Sequence, residues 1–271
     1  MLSKKVGIIG CGVMGSIFAE AWIKGDIVSP ERLFLFDRFT EKQNQLGKHL
    51  RIPVQNLGAD WIGQVDILLL AVKPQDFSML AESIKTALSP TTRVYSLMAG
   101  IPVALLVELL GSNDCIRFMP NTPASIGEGV LGCYISNETD EKKDEAMKLL
   151  SQVGKVVFLE QESMLHAITA VSGSGPAWVY YFLQSLTTAA ESLGFSSNDA
   201  REIVLQTVKG SIALASSSDL SFEEQINRVA SKGGTTEAGL RALEEKGGAE
   251  VLQSAVLTAF KRSKEMAGEK N

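Results

Sequence analysis

Three groups of residues have types and spacing suited to chemistry on a bound small molecule. The first is Gly10-Cys11-Gly12-Val13-Met14-Gly15, a G-x-G-x-x-G pattern that follows an apolar run and opens an amphipathic one. In that setting Gly10 permits a tight turn, Gly12 lets backbone approach a pyrophosphate, and Gly15 lets helix and strand pack closely. The helix N-terminus then turns free N–H groups and the positive end of its dipole toward the phosphates. Gly10, Gly12, Val13, Met14 and Gly15 are therefore candidate dinucleotide contacts. The next apolar run ends at Asp37, followed by Arg38. An acidic residue there bonds a ribose 2′-hydroxyl and favours NAD, whereas an adjacent arginine can hold a 2′-phosphate and favours NADP. The two neighbours give opposing signals.

The second group lies at later strand ends, which in an open α/β sheet face the ligand crevice. Ala71-Val72-Lys73-Pro74 puts a lysine where it can touch cofactor or polarise substrate. Ala99-Gly100 offers small residues with room for a nicotinamide ring. The third group consists of three unusual connections. Met119-Pro120-Asn121-Thr122-Pro123-Ala124 is made rigid by its prolines. Ser172-Gly173-Ser174-Gly175-Pro176-Ala177 leads into a long helical pattern, with Pro176 suited to a first helical position. Ser231-Lys232-Gly233-Gly234-Thr235-Thr236 places N–H and hydroxyl donors at a helix N-terminus, a ready site for a carboxylate.

The elements that must position these groups are legible as well. Apolar runs at 6–9, 33–36, 67–72, 93–98 and 115–119 read as buried parallel strands, since they lack polar alternation. Helical patterns at 13–24, 40–50, 77–88 and 103–110 alternate with them, which predicts right-handed βαβ units in a doubly wound sheet. Two more strands at 130–135 and 155–159 flank a helix at 141–152. After Glu162 the strand runs cease, and helices are predicted at 163–170, 177–193, 198–215, 222–230, 236–245 and 249–266. The expected architecture is an α/β Rossmann domain over residues 1–162, followed by an all-helical domain over 163–271. The 163–193 stretch is apolar on most sides and must be buried, in part against a second subunit.

Composition narrows the function. The 271 residues carry a net charge of −5, with 45% hydrophobic and 21% charged residues, which is ordinary for a globular chain and gives no attraction to nucleic acid or anionic lipid. Three cysteines without a C-x-x-C pair indicate a reducing compartment, and two distant histidines argue against a zinc site. With no apolar leader or membrane-length run in the sequence, a cytoplasmic protein is expected.

The ordered set of motifs resembles the pyrroline-5-carboxylate reductase family, over nearly the whole chain from the Gly10 loop to Lys261-Arg262-Ser263. The resemblance implies hydride transfer from NADPH, with NADH as the alternative, to the imine carbon of 1-pyrroline-5-carboxylate, giving L-proline in the last step of proline biosynthesis. It implies that Thr236 is catalytic, bonding the ring nitrogen, and that Gly234 and Thr235 hold the substrate carboxylate through backbone N–H. It places Glu162 near the substrate and Asn56, Val72, Lys73 and Ala99 against the cofactor. It also implies a homodimer interlocked through the helical domain, in some members assembled into decamers, with no metal, nucleic acid or membrane partner.

Four positions depart from the family pattern: Lys232 for a proline, Trp178 for a tyrosine, Gln184 for a glutamate and His166 for an aspartate. Lys232 adds a charge beside the carboxylate site and leaves open a paralogue that is non-catalytic or altered in substrate. A β-hydroxyacid dehydrogenase is the enzymatic alternative, but such enzymes carry a lysine on the long helix, and Pro176-Ala177-Trp178-Val179-Tyr180 has none.

Overall fold

The computed structural model describes residues 2–52, 54–55, 61–112 and 114–268. Seven strands join in one sheet: β1 (Val6–Ile9), β2 (Leu33–Phe36), β3 (Ile67–Leu70), β4 (Arg93–Ser96), β5 (Cys115–Met119), β6 (Gly129–Ile135) and β7 (Gly154–Phe158). Their spatial order is β2-β1-β3-β4-β5-β6-β7. Every residue of β1 and β3 is buried, as unbroken apolar strands covered on both faces should be.

Five helices lie between these strands: α1 (Val13–Lys24), α2 (Thr40–Leu50), α3 (Phe77–Ile84), α4 (Val103–Leu110) and α5 (Asp140–Leu150). Two separate apolar clusters fill the layers. Phe18 and Trp22 of α1 pack with Tyr95, Phe118, Leu131 and Leu149 on one face. Phe77 and Ile84 of α3 pack with Leu68, Leu70, Val94 and Leu106 on the other. Phe18 meets Phe118 edge-on, with centroids 5.3 Å apart, and the Trp22 indole N–H donates to Leu149 O at 2.8 Å. The large aromatic thus buries its ring without leaving its donor unpaired.

The sheet departs from uniform parallel pairing at β6, which runs antiparallel to β5 and parallel to β7. The β5–β6 connection holds only a 3-10 turn over Thr122–Ile126. A connection without a crossover helix is too short to return the chain to a parallel start. β3 and β4 also end before the apolar runs that predict them. Ala71 N–H still bonds Ile9 O at 2.8 Å, after which the chain leaves the sheet.

At the amino ends of the strands lies a buried ion cluster. Glu145 of α5 accepts from Arg93 Nη1 at 2.6 Å, from the Tyr95 hydroxyl at 3.0 Å and from Lys4. Arg93 also donates to Asp114 at 2.9 Å, and Asp114 pairs with Lys142 at 3.0 Å. One carboxylate thereby fastens α5 to the first residue of β4 and to the segment before β1. Burial, followed by the Glu145 charge, raises the Tyr95 hydroxyl far above its ordinary range, so it remains a donor.

The remaining helices are α6 (Met164–Ile168), α7 (Gly175–Ser192), α8 (Ser197–Ser216), α9 (Phe222–Val229), α10 (Thr235–Glu245) and α11 (Gly248–Met266), with a π turn over Thr169–Gly173 between α6 and α7. Two compact units result: Met1–Ser174 with Ala259–Asn271, and Gly175–Thr258. Within the first, His166 Nδ1 meets the Ser263 hydroxyl at 2.9 Å and ties α6 to the end of α11. Within the second, α7 packs on α8, whose Ala200 and Val204 are buried. Ser221 and Glu224 form a capping box at the start of α9. Val179, Tyr180 and Phe182 of α7, expected to be buried in part against a second subunit, are exposed in the single chain, as is Tyr181. Among the described residues, no helix is long and apolar enough to cross a membrane.

Glu145→Ala leaves Arg93 and Lys4 without their shared carboxylate. It should destabilise the first unit by about 3 kcal/mol, as removal of one partner of a buried pair does. Denaturant unfolding measures this, and a loss below about 1 kcal/mol, the ceiling for an exposed pair, would show that the cluster is worth no more than a surface one.

Candidate functional site

The glycine loop takes its shape from backbone crowding. Gly10 has φ +107°, and a Cβ there would lie 2.5 Å from Ala71 O. A Cβ on Gly15 would lie 1.8 Å from Gly10 O. Nothing but glycine lets the start of α1 press so closely on the end of β1. Around Gly12, by contrast, nothing lies within 4 Å of an added Cβ. Gly12 is also the N-cap of α1, with no side chain bonded to the first-turn N–H groups, and Val13 beside it is 74% exposed. An open backbone surface at an uncapped helix N-terminus is what a pyrophosphate requires.

A cavity of about 240 Å³ opens beside this loop. Gly10, Gly12, Asp37, Arg38, Val72 and Lys73, all identified as candidate contacts from the sequence, line it together. Its inner wall is apolar, built from Ile9, Phe36 and Leu80, which suits the flat face of a base. Asp37 is committed locally. Its Oδ2 accepts Cys11 N–H at 2.7 Å and its Oδ1 accepts Phe39 N–H at 2.8 Å, so the carboxylate orders the glycine loop and the turn after β2. On the rim, Arg38 lies 4.9 Å and Lys42 5.1 Å from the Phe39 ring centroid, which gathers two cations around one aromatic face. Arg38 also pairs with Asp76 at 2.8 Å, a partly exposed contact that a stronger anion can displace. Asp37 thus orders the glycine loop and still lines the cavity with its remaining lone pairs, beside the cations Arg38 and Lys42. Cys11 takes no nucleophilic part, because burial and then the Asp37 charge push its thiol up to about 12.

Ala99 does not line this cavity; it sits half-buried on the loop after β4. Glu162 accepts Val103 N–H at 2.7 Å and pairs with Arg117. Asn56 lies outside the described residues. The Asn121 and Ser172 motifs prove to be one assembly. Asn121 Nδ2 donates to Ser172 O at 3.1 Å, and its Oδ1 accepts Val130 N–H at 2.9 Å. The amide clamps the π turn to the start of β6, and such turns recur at functional sites.

In the second unit, Gly234 is the N-cap of α10, again without a side-chain cap. Gly233 has φ +74°, and a Cβ on Gly234 would lie 2.6 Å from Ser231 Oγ. Gly233 N–H donates to Glu237 at 2.7 Å and Gly234 N–H to Ser231 O at 2.9 Å. Those bonds leave the Thr235 and Thr236 amides at the helix start, with Thr235 exposed and Thr236 half-buried. The loop can receive a carboxylate through those donors.

Four functional neighbours escaped the reading of the sequence. Phe39, Lys42 and Asp76 join the cavity from other segments, and only the position of Lys42 in the first turn after Asp37 hinted at this. Arg117 did carry a signal: a charge inside the apolar strand Cys-Ile-Arg-Phe-Met. Among the described residues, no cluster of three or more His, Cys, Asp or Glu is arranged to hold a metal.

Known proteins resemble this chain in sequence and fold. A family model described as pyrroline-5-carboxylate reductase dimerisation matches residues 162–266, and one described as NADP oxidoreductase, coenzyme F420-dependent, matches residues 5–100. The chain is 33% identical to a pyrroline-5-carboxylate reductase of Pseudomonas aeruginosa, over 98% of both chains. It is 34% identical to one of Methanosarcina acetivorans, over 98% of this chain and 99% of the other. The solved reductase of Coxiella burnetii superposes with a TM-score of 0.90 at 29% identity, covering 100% of both chains. That of Plasmodium falciparum, with NADP bound, gives 0.87 at 30% identity, covering 98% and 99%.

Arg38→Ala should weaken NADPH binding about tenfold, the equivalent of about 1.4 kcal/mol and the low end for a hydrogen bond to a charged group. NADH binding should change by less than about twofold, since it lacks the phosphate. Fluorescence titration with each dinucleotide checks this, and equal losses for both would contradict a phosphate contact.

Proposed function

The chain belongs to the pyrroline-5-carboxylate reductase family, and from that premise we propose that it reduces the imine of 1-pyrroline-5-carboxylate to L-proline, the last step of proline biosynthesis, with NADPH, or NADH in its place, supplying the hydride. The observation that carries this reading is the match to reductases over the full length of both chains. The chain carries both a glycine loop suited to a dinucleotide and a glycine-threonine loop suited to a carboxylate.

The roles divide by residue. Gly12, Val13 and Met14 offer the pyrophosphate backbone N–H groups, while Gly10, whose own N–H donates to Phe36 O, makes the turn and Gly15 lets α1 pack on β1. Asp37 keeps that loop ordered, and Arg38 with Lys42 receives the 2′-phosphate. Val72, Lys73, Ala99 and Asn56 complete the cofactor contacts. The Thr235 and Thr236 amides hold the substrate carboxylate at the start of α10, Gly234, whose own N–H is bonded to Ser231 O, allows its close approach, and the Thr236 hydroxyl orients the imine at its ring nitrogen or relays to it a proton drawn from solvent. A protonated imine is already electrophilic, so the protein contributes mainly position: donor and acceptor carbons held at about 3–3.5 Å. Lys232 adds a cation beside the carboxylate loop and strengthens anion capture there.

The unit of Met1–Ser174 with Ala259–Asn271, which reaches past the expected boundary at 162, serves the dinucleotide, and Gly175–Thr258 serves the substrate and a second copy of the chain. The exposed Val179, Tyr180, Tyr181 and Phe182 follow one another around α7, and so much bare apolar surface on one helix supports a homodimer. Further assembly into decamers is open to such dimers. The reaction is placed in the cytoplasm, where three free, buried cysteines remain reduced.

Purified protein with NADPH and pyrroline-5-carboxylate should lose reduced-cofactor absorbance and form proline one for one, with a lower kcat/KM for NADH. Absence of turnover with either cofactor would overturn the assignment, and oxidation of a 3-hydroxyacid with NADP⁺ would replace it. Thr236→Ala should lower kcat about 10- to 100-fold, the range for losing a hydrogen bond to a charged group. Its NADPH dissociation constant should move by less than about twofold, because the hydroxyl meets substrate and not dinucleotide. Unchanged kcat would remove Thr236 from the mechanism.

A further inference from the structure

The loop over residues 97–102, between β4 and α4, is held from several sides. At its start, Arg117 Nη2 donates to Met98 O at 3.4 Å. At its end, the Val103 N–H that opens α4 donates to Glu162 Oε1 at 2.7 Å, and that oxygen is also the partner of Arg117 Nη1. One guanidinium therefore reaches one end of the loop directly and the other through Glu162. At its middle, Gly100 turns through φ +74°, where a Cβ would lie 3.0 Å from Met266 O at the end of α11.

Arg117 is 6% exposed in a strand whose other members are apolar. Its partner Glu162 keeps 27% of its side chain exposed, and a pair of a buried guanidinium with a half-buried carboxylate is seldom worth more than a hydrophobic replacement, so stability alone does not account for it. The position of the loop does. Sheet order places β2, with Asp37 and Arg38 at its end, on one side of β1, and β3 and β4 on the other. A dinucleotide gripped at the end of β1, with its adenosine half toward β2, must extend its other half over the ends of β3 and β4. The 97–102 loop is the surface it meets there.

We propose that Arg117 and Glu162 are positioning residues, which set the 97–102 loop at the height where Ala99 supports the nicotinamide ring. This inference rests on the proposed hydride transfer. It gives Glu162 a task different from substrate contact: its Oε1 is engaged with the loop, and it acts on the reaction through the ring that the loop carries. A displaced loop would leave the adenosine half bound while the reacting carbon moved out of near-attack distance.

Glu162→Gln tests this, because the amide oxygen can still accept Val103 N–H while the charge opposite Arg117 is lost. Gly100→Ala is the second variant. It leaves both ions in place and strains the same loop from the side of Met266, so the test does not depend on either variant alone folding. Each is titrated with NADPH and with adenosine 2′,5′-bisphosphate, a fragment without nicotinamide, and kcat is measured alongside. The fragment should bind within about twofold of the unsubstituted protein, NADPH about 3- to 10-fold more weakly, and kcat should fall about tenfold or more. A parallel loss of fragment and NADPH binding would show a merely structural role and overturn the proposal; unchanged NADPH binding and kcat would do the same. The two binding arms need no turnover. A protein that failed to reduce pyrroline-5-carboxylate would therefore contradict the reaction and still leave the loop readable.

Discussion

A methyl group on Gly15 would lie 1.8 Å from the carbonyl oxygen of Gly10, and one on Gly10 2.5 Å from that of Ala71. These contacts bring the start of α1 against the ends of β1 and β3 with no side chain between them. That approach aims the uncapped amino end of α1 along the crevice and leaves open space over Gly12. Asp37 extends the constraint, because its bond to Cys11 N–H couples the end of β2 to the same loop. The cavity walls, from Phe36 to Lys73, are ordered by reference to this one point.

Two ion groups, each built on one buried charge, Glu145 or Arg117, sit at opposite ends of the sheet and differ in kind. Lys4 precedes β1, Arg93 begins β4 and Asp114 precedes β5, so the Glu145 cluster lies at the amino ends of the strands. It joins elements remote from the ligand crevice and serves the fold. The Arg117–Glu162 pair reaches Met98 and Val103, beyond the carboxyl end of β4, where α/β sheets bind ligands. The same chemistry therefore does different work according to which strand ends it joins.

Much of the fold was legible because its signals are local. Val6–Ile9, Leu33–Phe36 and Cys115–Met119 form strands over the residues that their apolar runs predict, and Val13–Lys24, Thr40–Leu50 and Val103–Leu110 do the same as helices. The glycine loop was legible because steric demand on a backbone is written in one residue type. What was missed depends on partners distant in sequence. The antiparallel turn of β6 leaves no mark on its apolar pattern. The π turn at Thr169–Gly173 is bonded to an Asn121 side chain fifty-one residues before Ser172. The bond from Cys11 N–H that ties Asp37 to the glycine loop spans twenty-six residues. Glu162 suggested substrate from resemblance, whereas its contacts run to Arg117 and Val103.

The central claim is that this chain delivers a hydride to the imine carbon beside a ring nitrogen. The most direct measurement is transfer from NADPH carrying deuterium at the reactive C4 position, on the face the enzyme uses, with the product analysed by mass spectrometry and NMR. The account predicts proline with a single deuterium on C5, the carbon bonded to the ring nitrogen. Proline without deuterium, or with it on another carbon, would contradict it.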